Sequence, residues 1–291
     1  MNETQTLLDI ENFMLKVMKS KYRWNDFDAD YDGLKRKAKA VYKPECEYSP
    51  LVQAYFDLLP EHISWEDEEI FEDKRVFQCF QRELAELQEN FIEKFITNNQ
   101  RNQRNLKDYF NGLVDHHRKL LLVRVDLSYS SQAQPSISRF NRDVKKMVSR
   151  VQDRDTIFKG QVGYAYRLEQ GGKSKGYHCH LLVIYNGSLH IHDSYLAQSI
   201  GELWEDKITG GDGLFFNCNQ ARHKEKYQVL DKLGIGMIER RNAKEVENAL
   251  LAISYLADPE KDNQYLRAPL SGMREFSKGC SIRRKRDSKK S

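Results

Sequence analysis

His178-Cys179-His180-Leu181-Leu182-Val183-Ile184-Tyr185, closing on Asn186-Gly187, is the stretch whose reading decides the fold. The residues after the histidines are β-branched and aromatic, and Asn-Gly is a turn pair, so the pattern predicts a strand. Strand side chains alternate faces, which puts His178 and His180 on one side and Cys179 on the other. Two imidazoles about 7 Å apart along one face can share a metal ion.

Upstream, Val162-Gly163-Tyr164-Ala165-Tyr166-Arg167-Leu168-Glu169 is a second strand pattern, and the Gly-rich, polar connection 170–176 predicts a hairpin. A loop of four residues, Gly172-Lys173-Ser174-Lys175, pairs Gly171 with Gly176. Counting outward sets Glu169 opposite His178 and Arg167 opposite His180, with Glu169 on the histidine face. A loop one residue longer or shorter turns Glu169 away. The expected ligand set is therefore Glu169, His178 and His180. Mixed nitrogen and oxygen donors suit Mg or Mn better than a structural zinc site. Ordinary sheet residues are the competing account of the same spacing.

The chain has 291 residues, 40% apolar and 11% aromatic, enough to bury a core in one large or two modest domains. No run approaches bilayer length, and no signal-peptide core is visible at the N-terminus. Five scattered cysteines without a Cys-x-x-Cys pair argue for a reducing compartment and against a disulfide framework. The formal charge of +4 excludes little. Its distribution is more telling: residues 281–291 form a dense basic tail, of a kind that is either solvated or binds phosphate backbones, while acidic residues gather at 66–69.

Residues 1–105 read as a helical accessory domain. Leu7, Leu8, Ile10, Met14, Val17 and Met18 form one amphipathic stripe, and Phe77, Phe80, Leu84, Leu87 and Phe91 another. Asp28-Ala29-Asp30-Tyr31-Asp32-Gly33 starts like a calcium loop, but Lys39 stands where the bidentate glutamate belongs, which rejects that reading. The polar stretch 98–105 marks a boundary or exposed helix join. Residues 106–280 then give a short helix, the near-continuous apolar strand Leu120-Leu121-Leu122-Val123-Arg124-Val125-Asp126-Leu127, and a basic helix from Pro135-Ser136 to Arg150. After these come the hairpin, a helix to Trp204, strand candidates at 214–217 and 234–239, and a helix over 243–257. That order predicts an α+β fold with a mainly antiparallel central sheet and flanking helices. The glycines around Thr209 lack a P-loop ending. His190-Ile191-His192 reads as surface, and His116-His117 close a helix.

Strand-borne Asp126, then Gly176-Tyr177-His178-Cys179-His180, then Tyr255 on a later helix, resembles the three-motif layout of HUH-superfamily replication initiators. More narrowly, Trp204, Ile208-Thr209, Gly213, Phe216-Asn217, Tyr255-Leu256 and Gln264-Tyr265-Leu266-Arg267 resemble the YagK/YfjJ-type C-terminal domain of inovirus-type replication proteins from bacterial phages and prophages. The resemblance covers about 106–280. It implies a Rep-like split βαβ sheet and a metal-dependent enzyme that nicks and rejoins single-stranded DNA at a replication origin. The setting would be the bacterial cytoplasm, with host replication proteins as partners. His178, His180 and Glu169 would hold the ion, Asp126 would support the site, and Tyr255 would be the nucleophile. The superfamily's Tyr-x-x-Lys becomes Tyr255-Leu256-Ala257-Asp258, with Lys261 the displaced lysine.

On a helical wheel Val246, Ala249, Leu250, Ile253 and Ala257 form the apolar stripe, leaving Tyr255 opposite, as a nucleophile or a plain surface tyrosine. Arg139, Arg142, Lys145, Lys146 and Arg150 form a basic face that is either solvated or tracks DNA. Tyr177, with Tyr129, Tyr164 and Tyr166, is expected to stack on unpaired bases, and Arg267 to contact the strand. Two other expectations stay open: a non-catalytic nucleic-acid-binding or regulatory protein with the same sheet, and a metal-dependent hydrolase of another substrate.

Overall fold

The continuous apolar character of 120–127 is explained by where that segment lies: it becomes β1 (Lys119–Tyr129), covered on both faces. The computed structural model describes residues 2–59, 70–171, 176–258 and 264–280; the hairpin tip 172–175, the acidic run 66–69, Lys261 and the tail 281–291 lie outside these. The fold is α+β, with an antiparallel sheet as expected. Its strands are β1, β2 (Gln161–Gln170), β3 (Tyr177–Asn186), β4 (Gly213–Asn217), β5 (Gly236–Glu239) and β6 (Phe276–Lys278), in the order β4-β1-β3-β2-β6. β5 pairs with β1 beside β4: β4 takes Val125 to Tyr129 and β5 takes Lys119 to Leu122.

One face carries Leu121, Val123, Val125 and Leu127 with the odd-numbered residues of β3, packed against α5 (Ile137–Asp153) and α6 (Asp193–Glu202). α5 begins where Ser136 accepts a hydrogen bond from the Arg139 N–H at 3.3 Å, and buries Ile137, Phe140, Val144, Met147 and Val151 at helical spacing. α6 runs on into a wider π turn, Leu203–Ile208, whose buried Trp204 donates to the Ser128 carbonyl at 2.8 Å. On the other face, Leu120, Leu122, Ala165, Leu182 and Ile184 meet α8 (Ala243–Ser254) and the C-terminal part of α4 (Lys74–His116).

α4 corrects the expected organisation. It is one helix of 43 residues, so no break occurs at 98–105. Its first turns, capped by Asp73, pack with α1 (Glu3–Val17), α2 (Phe27–Val41) and α3 (Pro50–Asp57), and its last turns pack on the sheet. The polar run looks like a linker only because few of its side chains face the core. Asn99, near its start, is buried. α1 is also fastened directly to the sheet layer. Glu11 accepts from Tyr265 Oη and Arg267 Nε, each at 2.6 Å, and Glu3 accepts from the Ile137 N–H at 2.8 Å and Tyr177 Oη at 3.1 Å. α2 covers the aspartates of the rejected calcium loop as ordinary helix. Among the described residues, no helix is long and apolar enough to cross a membrane.

Candidate metal centre and adjoining cleft

The hairpin closes in the register that the loop count predicts. Gly171 N–H donates to the Gly176 carbonyl at 3.0 Å, Glu169 pairs with His178, and Arg167 pairs with His180. Gly176 has φ +58°, a left-handed conformation that glycine adopts without a Cβ penalty. Paired residues share a face, so Glu169 meets both imidazoles. Its Oε2 lies 3.2 Å from His178 Nε2 and 3.1 Å from His180 Nε2. One ligand atom from each residue falls within 4.8 Å of the others, the only such trio among the described residues.

The other ring nitrogens are already engaged. His180 Nδ1 lies 2.8 Å from Asp126 Oδ1, reached across the β1–β3 pairing, and His178 Nδ1 lies 3.4 Å from the Gly176 carbonyl. With an ion in the trio, Nδ1 would carry each ring's proton toward these acceptors and Nε2 would face the ion. Metal-bound histidines are held in this way, by a carboxylate or carbonyl behind the ligand nitrogen. The donor set therefore fits a metal ion. Ligand bonds of about 2.0–2.6 Å bring neighbouring donors to roughly 3 Å, the spacing seen here between Glu169 and each imidazole.

Electrostatics favour positive charge at this point. Burial of His180 opposes an imidazolium, yet its hydrogen bonds to the Asp126 and Glu169 carboxylates outweigh burial and hold its pKa above the ordinary value. Burial likewise tends to raise the Asp126 pKa, but His180 and Arg124 hold the carboxyl well below the usual range. Arg124 Nε donates to Asp126 Oδ1 at 3.1 Å. Glu169 is 1% exposed, and a carboxylate so buried requires strong partners.

A row of mutually paired residues crosses the sheet here: Phe216 on β4, Asp126 on β1, His180 on β3, Arg167 on β2 and Phe276 on β6. At the β4 end lies a cleft of about 400 Å³ lined by Arg124, Asp126, Phe216, His223, Tyr227 and Tyr255, among others. Tyr255 opens the turn after α8 and is half exposed, as the helical wheel predicts. Asp126 thus touches His180 and also lines the cleft that Tyr255 lines. The His223 ring lies 5.0 Å from Phe216 and 5.3 Å from Tyr227. Burial, then the charges of Lys226 and Arg124, lower the His223 pKa and keep it neutral at pH 7. Cys218, pushed up to about 12 by burial, is an inert thiol lining the cleft.

Arg124, His223 and Tyr227 are site residues that the sequence reading missed. His223 and Tyr227 lie on α7 (Ala221–Gln228), a short helix with no buried residue and thus no apolar period. The interleaving of Arg222, His223, Lys224, Lys226 and Tyr227 was the available signal.

Other expected contacts are corrected. Tyr177 is 1% exposed, stacked on Phe140 at 5.2 Å and donating to Glu3, so it is a core residue that no base can reach. Tyr129 and Tyr164 are buried as well. Arg267 is 4% exposed and bound to Glu11, so it joins α1 to the sheet layer and is not open to a strand. Arg139, Arg142 and Lys146 belong to α5, across the sheet from the histidines. Arg139 is also held by Asp212 at 2.6 Å, while Arg142 and Lys146 are exposed. Charge periodicity identifies a helix face but not the side of the sheet on which the helix packs. His190 packs on Tyr185 at 5.2 Å near the surface, as expected of the second His-x-His. Compared with known proteins, the chain matches no family model, no curated protein and no solved structure.

Proposed function

We propose that the protein is a metal-dependent endonuclease that nicks and rejoins single-stranded DNA, with Tyr255 as nucleophile and Glu169, His178 and His180 as ligands for Mg or Mn. The observation that carries this is Asp126, which orients His180 on one side and lines the Tyr255 cleft on the other. The histidine pair on a central antiparallel strand, with an acidic residue on the neighbouring strand, supports a Rep-like sheet. Replication initiation at an origin, in a phage, prophage or plasmid, is the corresponding biological role.

A bound divalent ion would neutralise charge on the scissile phosphate and favour attack on phosphorus. The protein's own groups do the rest. Phenols ionise near pH 10, so the proton must leave as the bond forms. His223, neutral and in the same cleft, is the available acceptor. Tyr255 Oη bonds to phosphorus, the P–O3′ bond breaks, and the 3′ oxygen leaves and takes a proton from water. The products are a 5′-phosphotyrosine link and a free 3′-OH, and reversal rejoins the strand without ATP. Phe216, His223 and Tyr227 offer ring faces to unpaired bases, which stack on aromatics with little sequence bias. Lys261 keeps its proposed role as phosphate-balancing lysine, outside the described residues.

The test is incubation with single-stranded oligonucleotides and Mn²⁺, followed by denaturing electrophoresis for a covalent adduct. The expected result is an adduct in the wild type and none with Tyr255→Phe. Asp258, at the position where the superfamily carries its lysine, favours a second reading: a nucleic-acid-binding regulator without catalysis. Tight strand binding with no adduct on any oligonucleotide would establish that alternative.

A further inference from the structure

The opposite end of the paired row, at Arg167, opens into a second cavity, of about 500 Å³, between α4 and the edge formed by β2 and β6. We propose that this cavity is a phosphate-binding site built on Arg167 and Asn99. Arg167 is 2% exposed, and one guanidinium nitrogen donates to Asn99 Oδ1 at 2.7 Å. The guanidinium carbon lies 5.4 Å from the centre of the Phe95 ring, which props the planar group from one side.

Two buried donors of these cavity-lining residues, Arg167 Nε and Asn99 Nδ2, have no acceptor among the described residues. An unsatisfied buried donor is costly, and native proteins seldom leave two together. The neighbouring Glu275 carboxyl is pushed up to about 7 by burial and is only partly ionised at neutral pH. Exposed Lys94, Arg101 and Arg274 ring the mouth, opposed by the single exposed carboxylate of Glu47.

The ligand class follows from the donors. A fixed guanidinium edge beside an amide N–H, inside a cationic rim, matches the oxygens of a tetrahedral phosphate. Arg167 pairs directly with His180 and stands two residues from Glu169 on its own strand, so a phosphate held here lies beside the candidate metal ligands. Two sources offer that chemistry: free phosphate, and the backbone of a bound strand.

The site is tested on the full-length protein in EDTA, which removes any contribution from a metal ion and separates this proposal from the nicking reaction. Inorganic phosphate, compared with chloride at equal ionic strength, should raise the melting temperature of the wild type, and Arg167→Gln should abolish that rise. Because Arg167→Gln removes a buried group and can unfold the chain, the rim variant Arg101→Gln/Arg274→Gln serves beside it. It should keep the wild-type melting temperature without phosphate and bind phosphate at least tenfold more weakly by calorimetry. Displacement of a labelled single-stranded oligonucleotide by phosphate assigns the site to a strand backbone, and binding of both at once assigns it to free phosphate. No phosphate-specific rise in the wild type, or an equal affinity in the rim variant, overturns the proposal.

Discussion

His178 and His180 differ in what stands behind them, a main-chain carbonyl for one and the Asp126 carboxylate for the other. The difference has a measurable consequence. Asp126→Asn keeps the shape but removes the charge that orients His180, and loss of such a partner typically costs about 10–100-fold in metal affinity. Calorimetric titration with Mn²⁺ should show that drop with the fold intact by circular dichroism; unchanged affinity would remove Asp126 from the site. At this scale the sequence was informative wherever one strand or one hairpin sufficed. Glu169 could be placed because strand period and loop length fix its face. The contact between Asp126 and His180 could not, because it depends on which strand β1 chooses as neighbour. Tyr177 was misread for a related reason: alternation separates it from His178 but does not say which face is covered.

Among the elements, α4 and β2 approach closely at Gly163. A Cβ there would lie 2.6 Å from Tyr109 Oη and 2.7 Å from Leu113 Cδ1, and the same Tyr109 hydroxyl accepts from the Tyr164 N–H at 3.2 Å. Gly163→Ala should therefore destabilise the fold by about 1–3 kcal/mol through overpacking, read as a lower urea midpoint. A neutral effect would mean that helix and strand are looser than described. The strands and the capped helix α5 were legible from pattern. α7 and β6 were not: the first buries no side chain, and the second, Phe276–Lys278, is too short to carry a period. The continuity of α4 was hidden by its polar middle, where Asn99 turns inward to hold Arg167.

Over the whole molecule, the N-terminal helices and the sheet share α4 and are joined again by the buried Glu11–Arg267 pair. Removing one partner of such a pair leaves a buried charge and costs about 3–5 kcal/mol. Glu11→Ala should lower the melting temperature and keep one cooperative transition, because the pair bridges the two cores. Two separate transitions in the wild type would show that helices and sheet unfold independently. Nothing in the sequence pointed to this junction: its members are 256 positions apart, and Arg267 looked like a strand contact.

The sheet-crossing row has the Tyr255 cleft at one end, the Arg167 cavity at the other and the histidines between them. Everything chemical proposed for it requires an ion at the centre. Titration of the purified, chelator-treated protein with Mn²⁺, followed by electron paramagnetic resonance, tests this directly. One Mn²⁺ bound per chain in the wild type and in Tyr255→Phe, and none in His178→Ala/His180→Ala, is the predicted result. A wild-type protein that leaves all the Mn²⁺ free in solution, or a double variant that binds it equally well, would contradict the account.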